Sequence, residues 1–348
     1  MAERGKHKNT LPFVHSMLVS FLEPYLDADG ALIPADAWRS FVDGSAQVPV
    51  VSGGNRGPLI QELQEMLEAA VEKRATHASH ARIGVLFSGG IDSVLIAFLL
   101  QRLGRDFLCL TVGFQDDGAK APEDVVESAR IAKLLGFEQE IITFNMETIE
   151  ELFRKTARIL GKPLVDVVNI GVGAVAVAAL EHGKHLGITH FFTGLGAEEL
   201  FAGYDRHERA WKTGGNEGLH AECLRGLKED LYARDLRRDT AIANRYGVTV
   251  STPFLDERLM RFALALPPEL KINETKTFAG RDRGDVPLKR PYKKFILREA
   301  AELLGLSPSI AWRPKRAAQY GSRTNNALTK LRKKAGSRDK DAYLASLQ

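Results

Sequence analysis

The sequence predicts an α/β protein, with a parallel sheet covered by helices on both faces and a mostly helical C-terminal part. Three observations carry that expectation. Between residues 82 and 193, near-continuous apolar runs of strand length alternate with helix-length segments, as strands buried on both faces and joined by crossover helices require. Two of those runs stop abruptly in glycine-rich turns, Ser88-Gly89-Gly90 and Gly194-Leu195-Gly196. Beyond about residue 207 the apolar runs give way to helical periodicity.

In chain order, residues 1–57 form a weakly patterned preface, with a turn signal at Asp27-Ala28-Asp29-Gly30 and a link rich in Gly, Pro and Asn just before Pro58. From Pro58 an amphipathic helix is expected, with Leu59, Leu63, Met66, Leu67, Ala70 and Val71 on one face. Proline suits its first turn, where the missing N–H has no helical partner anyway. Strands are expected at 82–87, 106–113, 139–143 and 188–193, and helices near 92–103 and 122–135, with two more over 147–186. Further helices are expected within 231–247, 256–267 and 293–305.

Composition excludes several classes. At 44 % hydrophobic and 26 % charged over 348 residues the chain has a soluble composition. It contains no apolar run of about 18 residues, so no membrane partner is expected. The N-terminus lacks the apolar stretch of a secretory signal. Cys109 and Cys223 are the two cysteines, far apart and outside any CxxC pattern. Neither a disulfide framework nor a thiolate metal site follows, and a reducing, cytoplasmic location is expected. Net charge is a mild +4, yet between Arg313 and Arg338 there are nine Lys/Arg and no Asp/Glu. That run reads either as a solvated, poorly ordered tail or, in its first part 312–323, as a phosphate-binding stretch.

The seam at Ser88-Gly89-Gly90-Ile91-Asp92-Ser93 is a strand-to-helix turn. Glycines let backbone N–H groups approach a ligand, and the start of the next helix favours an anion such as pyrophosphate. Ser88 and Ser93 add hydroxyl donors. A carboxylate at Asp92 would repel phosphate unless a cation lay between them, which points to Mg²⁺. The GK[ST] ending of a Walker A loop is absent. The plain alternative is a turn capped by Asp92 and Ser93. The second seam runs through Thr193, Gly194, Leu195 and Gly196 to the acidic pair Glu198-Glu199. If both strands are central, Asp92 and Glu198 leave the sheet at the same edge and could share a metal. Alone, the pair would serve as first-turn acids on a helix dipole.

The motifs SGGIDS (88–93), GLGAEELFAGY (194–204), TPFLDERL (252–259), KKFILREAA (293–301) and WRPKRA (312–317) together resemble the synthetase domain of asparagine synthetases, members of the PP-loop ATP pyrophosphatases. The likeness runs from about Arg82 to Ser322, and FAGYDRH and RPKRAAQYGSR are most similar to the asparagine synthetase domain-containing branch of archaea and eukaryotes. It implies a five-stranded parallel PP-loop sheet and the division 1–57 preface, 58–206 ATP-binding core, 207–322 helical part and 323–348 basic tail. It implies an AMP-forming ligase using ATP and Mg²⁺, in which a small-molecule carboxylate is adenylated and an amine then gives an amide.

By the same resemblance, Ser88, Gly89, Gly90, Asp92 and Ser93 fall on the pyrophosphate loop, and Phe87, Val112, Thr193 and Gly194 on positions that hold the adenosine. Asp92 and Glu198 fall on the metal ligands, where Glu198 replaces the usual Asp. Lys294 matches the lysine that steadies charge developing between the α- and β-phosphates. Asp256 lies on the acceptor side, and Glu199 is carried with Asp256 and Lys294 as a catalytic candidate. Arg313 and Lys315 are candidates for phosphate neutralisation.

Two departures fall on the amine side. Leu195 stands where the family has a glutamate that acts as a base, and Thr249-Val250-Ser251-Thr252 replaces a segment usually holding Glu and Arg. The chain starts Met1-Ala2-Glu3, without the cysteine nucleophile of a glutaminase domain. Nitrogen is therefore expected from ammonia, another amine or a separate glutaminase subunit. Two other readings stay open: a non-catalytic ATP/AMP-binding scaffold, motivated by Leu195, and a PP-loop enzyme that modifies tRNA, motivated by the basic run.

Overall fold

The computed structural model describes residues 22–47, 56–78, 81–116, 121–276, 286–314 and 318–347. Helices α1 (Ala35–Ala46) and α2 (Arg56–His77) precede the sheet. Then follow β1 (Ile83–Leu86), α3 (Ile91–Arg102), β2 (Phe107–Phe114), α4 (Glu123–Leu135), β3 (Gln139–Phe144), α5 (Met146–Leu160), α6 (Val167–His185) and β4 (His190–Phe192). Helix α7 (Asp205–Arg225), a π-helical stretch Gly226–Leu236 and α8 (Arg237–Tyr246) lead to β5 (Thr249–Ser251) and α9 (Glu257–Ala265). A two-stranded hairpin, β6 (Ile272–Lys276) with β7 (Val286–Lys293), comes before α10 (Phe295–Leu303), α11 (Thr324–Lys334) and α12 (Lys340–Ala345).

The first five strands are all parallel, in the order β3-β2-β1-β4-β5. Ile83 is in register with Phe107 on one side and His190 on the other. The chain winds outward from β1 to β3, then crosses to β4 on the opposite flank of β1. The crevice beyond the carboxyl ends of β1 and β4 is therefore the switch point, where such sheets bind ligands.

Alternation along β2 explains the two apolar layers. Phe107 and Cys109 join the layer of α2, α3 and α10, whereas Leu108, Leu110 and Val112 join that of α5 and α6. All eight residues of β2 are buried, so no polar face exists to betray a strand by alternation. The expected strands and helices of the α/β part occur within a few residues of their predicted bounds. β5 was not foreseen as a strand, because three residues with two hydroxyls make no apolar run. The β6–β7 hairpin also breaks the expected all-helical stretch after residue 207.

Two further expectations need correction, and one segment on which the sequence was silent is now placed. α2 begins at Arg56 and buries Ile60, Leu63, Leu67, Ala70 and Val71, so its stripe is turned by one position and Leu59 and Met66 lie at its edge. The described part of the preface, residues 22–47, is anchored: Trp38 is fully buried and its Nε1 donates to the Leu227 carbonyl at 2.8 Å. The basic run is no loose tail. Ala327, Leu328 and Leu331 of α11 and Tyr343, Leu344 and Leu347 beyond it are buried in the α6 layer, while Lys330 turns outward to ion-pair with Asp116. An apolar stripe lay hidden between the charges. Among the described residues, no helix is long and apolar enough to cross a membrane.

Candidate active site

The β1–α3 turn is closed on itself by its own hydroxyls. The Ser88 N–H donates to Ser93 Oγ at 3.3 Å, and Ser93 Oγ donates to the Gly90 carbonyl at 3.1 Å. Gly89 adopts φ +67°, where a side chain would be strained. The carbonyl of Gly89 accepts from Arg313, from Nη2 at 3.0 Å and Nε at 3.3 Å. Arg313 thus reaches the loop; Lys315 lies outside the described residues.

Asp92 stands in the first turn of α3, and Gly194 at the tip of β4 packs against it so closely that a Cβ would be 2.6 Å from the Asp92 Cβ. Glu198 follows in a single helical turn, Ala197–Leu200. Between the two carboxylates lies Lys294 Nζ, 2.7 and 2.8 Å from the Asp92 oxygens and 2.8 Å from Glu198 Oε1. Groups 106 and 202 residues from their partners (198 − 92 and 294 − 92) therefore meet at one point. Lys294 is buried, which disfavours its charge, but the two carboxylates prevail and hold the ammonium above the usual lysine range.

The backbone is strained where it delivers these groups. Lys294 has φ +58° and Ala202 φ +57°, two of the three non-glycine residues with positive φ among those described. The Lys294 N–H donates to the Phe201 carbonyl at 3.1 Å, and the Phe295 N–H to that of Lys271 at 3.0 Å. Those bonds hold the lysine in a conformation costing about 1–2 kcal/mol. Gly203 makes the room: a Cβ there would lie 1.7 Å from Glu198 Oε2 and 2.4 Å from Lys294 Cε. Arg298, one turn beyond Lys294, is buried and donates to the carbonyls of Lys293, Ala311 and Arg313 at 2.9, 2.7 and 3.1 Å. Sequence reasoning missed Ala202, Gly203 and Arg298 as site residues. The signals were present in FAGY and in the spacing of Arg298 four residues after Lys294.

The groups at this point are two carboxylates, one ammonium and a glycine-rich turn. Asp92 and Glu198 converge on one point, which the Lys294 ammonium fills, and among the described residues no cluster of three or more His, Cys, Asp or Glu metal ligands exists. Asp92 and Glu198 are the residues that would hold a Mg²⁺, which commonly binds through one or two carboxylates together with phosphates.

The family model for asparagine synthase matches residues 62–218 and 212–347. The chain belongs to the asparagine synthase family. It is 33 % identical over 294 residues to the "putative asparagine synthetase (glutamine-hydrolyzing) 1" of Methanocaldococcus jannaschii, covering 79 % of this chain and 52 % of that protein. With asparagine synthetase domain-containing protein 1 of Mus musculus the identity is 30 % over 312 residues, covering 73 % and 48 %. The chain spans about half the length of the curated relatives it matches. A solved NMN synthetase from Francisella tularensis overlays 85 % of this chain and 88 % of its own at a TM-score of 0.37 and 14 % identity. The family match extends to residue 347, in keeping with the folded α11 and α12.

The other predicted residues are dispersed around this centre. The Phe87 ring packs edge-on against Phe137 in the core, and its carbonyl accepts from Thr111 Oγ1. Val112 lies buried in the α6 layer. Thr193 donates its N–H to the Ser251 carbonyl at 3.0 Å and so sits at the strand tips. Glu199 occupies a different environment from Glu198. Its carboxylate is fully buried, has no hydrogen-bond partner among the described residues, and is 3.7 Å from Arg206. Burial, with Asp235 and Glu198 nearby, pushes its pKa up to about 8. Asp256 caps α9 by accepting the Arg258 N–H at 3.1 Å and meets Arg74 at 3.2 Å and Lys73 at 3.5 Å. Burial opposes its charge, but these cations hold its carboxyl below the usual range.

The two departures from the family pattern share one place. Leu195, Thr249, Val250 and Thr252 all line a cavity of about 240 Å³ that runs along the edge strand β5.

Proposed function

We propose that this chain is an ATP-dependent, AMP-forming amide ligase of asparagine synthetase type. The observation that supports it is the convergence of Asp92, Glu198 and Lys294 at the switch point of a parallel sheet. In this reading a carboxylate oxygen bonds to the α-phosphorus of ATP, the bond to the β-phosphate bridge breaks, and pyrophosphate leaves. An amine nitrogen then bonds to the acyl carbon, the acyl–oxygen bond breaks, AMP leaves, and the amine proton passes to water, since Leu195 accepts none.

The residues divide the work. The β1–α3 turn, with Ser88, Gly89, Gly90 and Ser93, seats the pyrophosphate; Thr193 and Gly194, with the backbone at Phe87 and Val112, border the nucleoside. Asp92 and Glu198 would hold Mg²⁺, which would offset phosphate charge. Lys294 stays protonated and places its ammonium where negative charge grows, an effect commonly worth about 3–4 kcal/mol. Arg313 stiffens the loop through the Gly89 carbonyl. Asparagine itself is one product this scheme allows. The nitrogen would come from ammonia, another amine or a separate glutaminase, and the setting would be the cytoplasm.

The test is direct: purified protein with Mg-ATP and a panel of small carboxylic acids, aspartate included, should release AMP and pyrophosphate in equal amounts. Lys294→Met should lower that release by about 10²–10³-fold. Release of ADP and phosphate, or equal rates in wild type and variant, would overturn the reading.

A further inference from the structure

Lys294 stands where a metal ion would be expected. Its ammonium lies 2.7 and 2.8 Å from the two oxygens of Asp92 and 2.8 Å from Glu198 Oε1. One singly charged group thus serves two carboxylates, and a net negative charge is left over. Arg298, one turn further on, does not share this duty: it gives Nε and Nη1 to the carbonyls of Lys293, Ala311 and Arg313.

The three side chains differ in access. Lys294 and Asp92 keep 5 % and 9 % of their side-chain surface, whereas Glu198 keeps 30 %. The point is closed on the protein side and open at Glu198, so a small ion can reach it from solvent. The lysine backbone is fixed, because its φ of +58° is secured by the bond from its N–H to the Phe201 carbonyl; such strain persists only where the surroundings impose it. Only the flexible four-carbon side chain can carry the ammonium away.

A divalent cation that arrived alone would meet this ammonium at its own ligands. Either the two cations share the point and repel each other, or the ammonium leaves and loses its partners; both are unfavourable. A nucleotide removes the conflict. Its phosphate oxygens accept the ammonium and leave both carboxylates to the ion, in keeping with magnesium's habit of binding through one or two carboxylates plus substrate phosphates.

We propose that Lys294 is the resident counter-ion of the nucleotide-free site and sets the order of loading: the free protein excludes divalent cations, and the ion enters with the triphosphate. This deepens the ligase reading and rests on its assignment of Asp92 and Glu198 as the ion's ligands. The ammonium lowers the apparent affinity for a lone ion by the fraction of time the point stands open. A lysine displaced about one time in a hundred weakens it by about 100-fold.

Calorimetry with Mn²⁺, standing in for Mg²⁺, tests this without turnover. Mn²⁺, ATP and Mn-ATP are each titrated into wild type, Lys294→Met, Lys294→Gln, Asp92→Asn and Lys294→Met combined with Asp92→Asn, with a melting curve for every protein. Wild type should bind Mn-ATP more tightly than ATP, and Mn²⁺ alone more weakly than about 1 mM. Both single Lys294 variants should take lone Mn²⁺ at least about tenfold more tightly than wild type, and the added Asp92→Asn should abolish that gain. Glutamine keeps a polar head in the buried site, so its variant carries the comparison where methionine prevents folding. Tight binding of lone Mn²⁺ to wild type that Asp92→Asn removes, or no gain in the Lys294 variants, overturns the proposal and leaves the ligase reading standing. If wild type binds Mn-ATP no better than ATP, the ion's place at Asp92 and Glu198 fails in the ligase reading itself, and the proposal falls with it.

Discussion

Gly203→Ala is the sharpest probe of the site, because it should separate function from folding. The new Cβ would sit 1.7 Å from Glu198 Oε2, 2.7 Å from Glu198 Cδ and 2.4 Å from Lys294 Cε. Ordinary carbon–oxygen contact begins near 3.3 Å, so the carboxylate must retreat by about 1.6 Å. That breaks its 2.8 Å pair with Lys294 and shifts the lysine as well. The crowded atoms are the ends of flexible side chains, so the fold can yield, at a cost of about 1–3 kcal/mol. The site cannot: a misplacement of about 1 Å costs on the order of 10²-fold in rate. The variant should melt as a folded protein, release pyrophosphate at least about 10²-fold more slowly, and bind Mg-ATP more weakly. Gly214→Ala is the control, since nothing lies within 4 Å of its Cβ. Wild-type turnover in Gly203→Ala would refute the placement of Glu198 and Lys294.

Other outcomes follow from the same structure. Glu199 has a folded pKa of about 8, above its unfolded value; its contribution to stability is therefore present below about pH 4.5 and is lost as pH rises through 8. Glu199→Gln should flatten the fall in melting temperature between pH 5 and 8, and parallel pH curves for the two proteins would count against the buried, neutral carboxyl. Glu23→Ala leaves the Arg74 guanidinium, now 2.9 Å from Glu23 Oε1, without its main partner. Loss of about 3–5 kcal/mol in denaturant unfolding is expected, and under about 1 kcal/mol would show that the preface is not tied to the core. Leu331→Ala, in the basic run, should cost about 2–5 kcal/mol as a core truncation, whereas a loose tail would give no change.

Much of this was legible in the letters. Continuous apolar strands such as 107–114 admit few other fates, and the glycine turns announce where strands give way to helices. The identities of Asp92, Glu198 and Lys294 were readable too, through motif likeness. Other parts left weak traces. β5 is too short and too polar to signal itself, and α11 hides its stripe among lysines and arginines. Glu198 and Glu199 are alike in sequence and neighbours in the chain, yet one faces the cleft and the other a sealed interior.

The sequence by itself determined most elements of the α/β part, the glycine turns and the family, because those depend on local backbone preferences and on side-chain types at short spacing. Tertiary structure decided what could not be local. It placed Lys294 between two carboxylates from the helical turns that follow two different strands, and gathered Leu195 and Val250 with Tyr25 of the preface around one cavity. Electrostatic strength depends on distance and on exclusion of water, and both are fixed only when remote segments pack together.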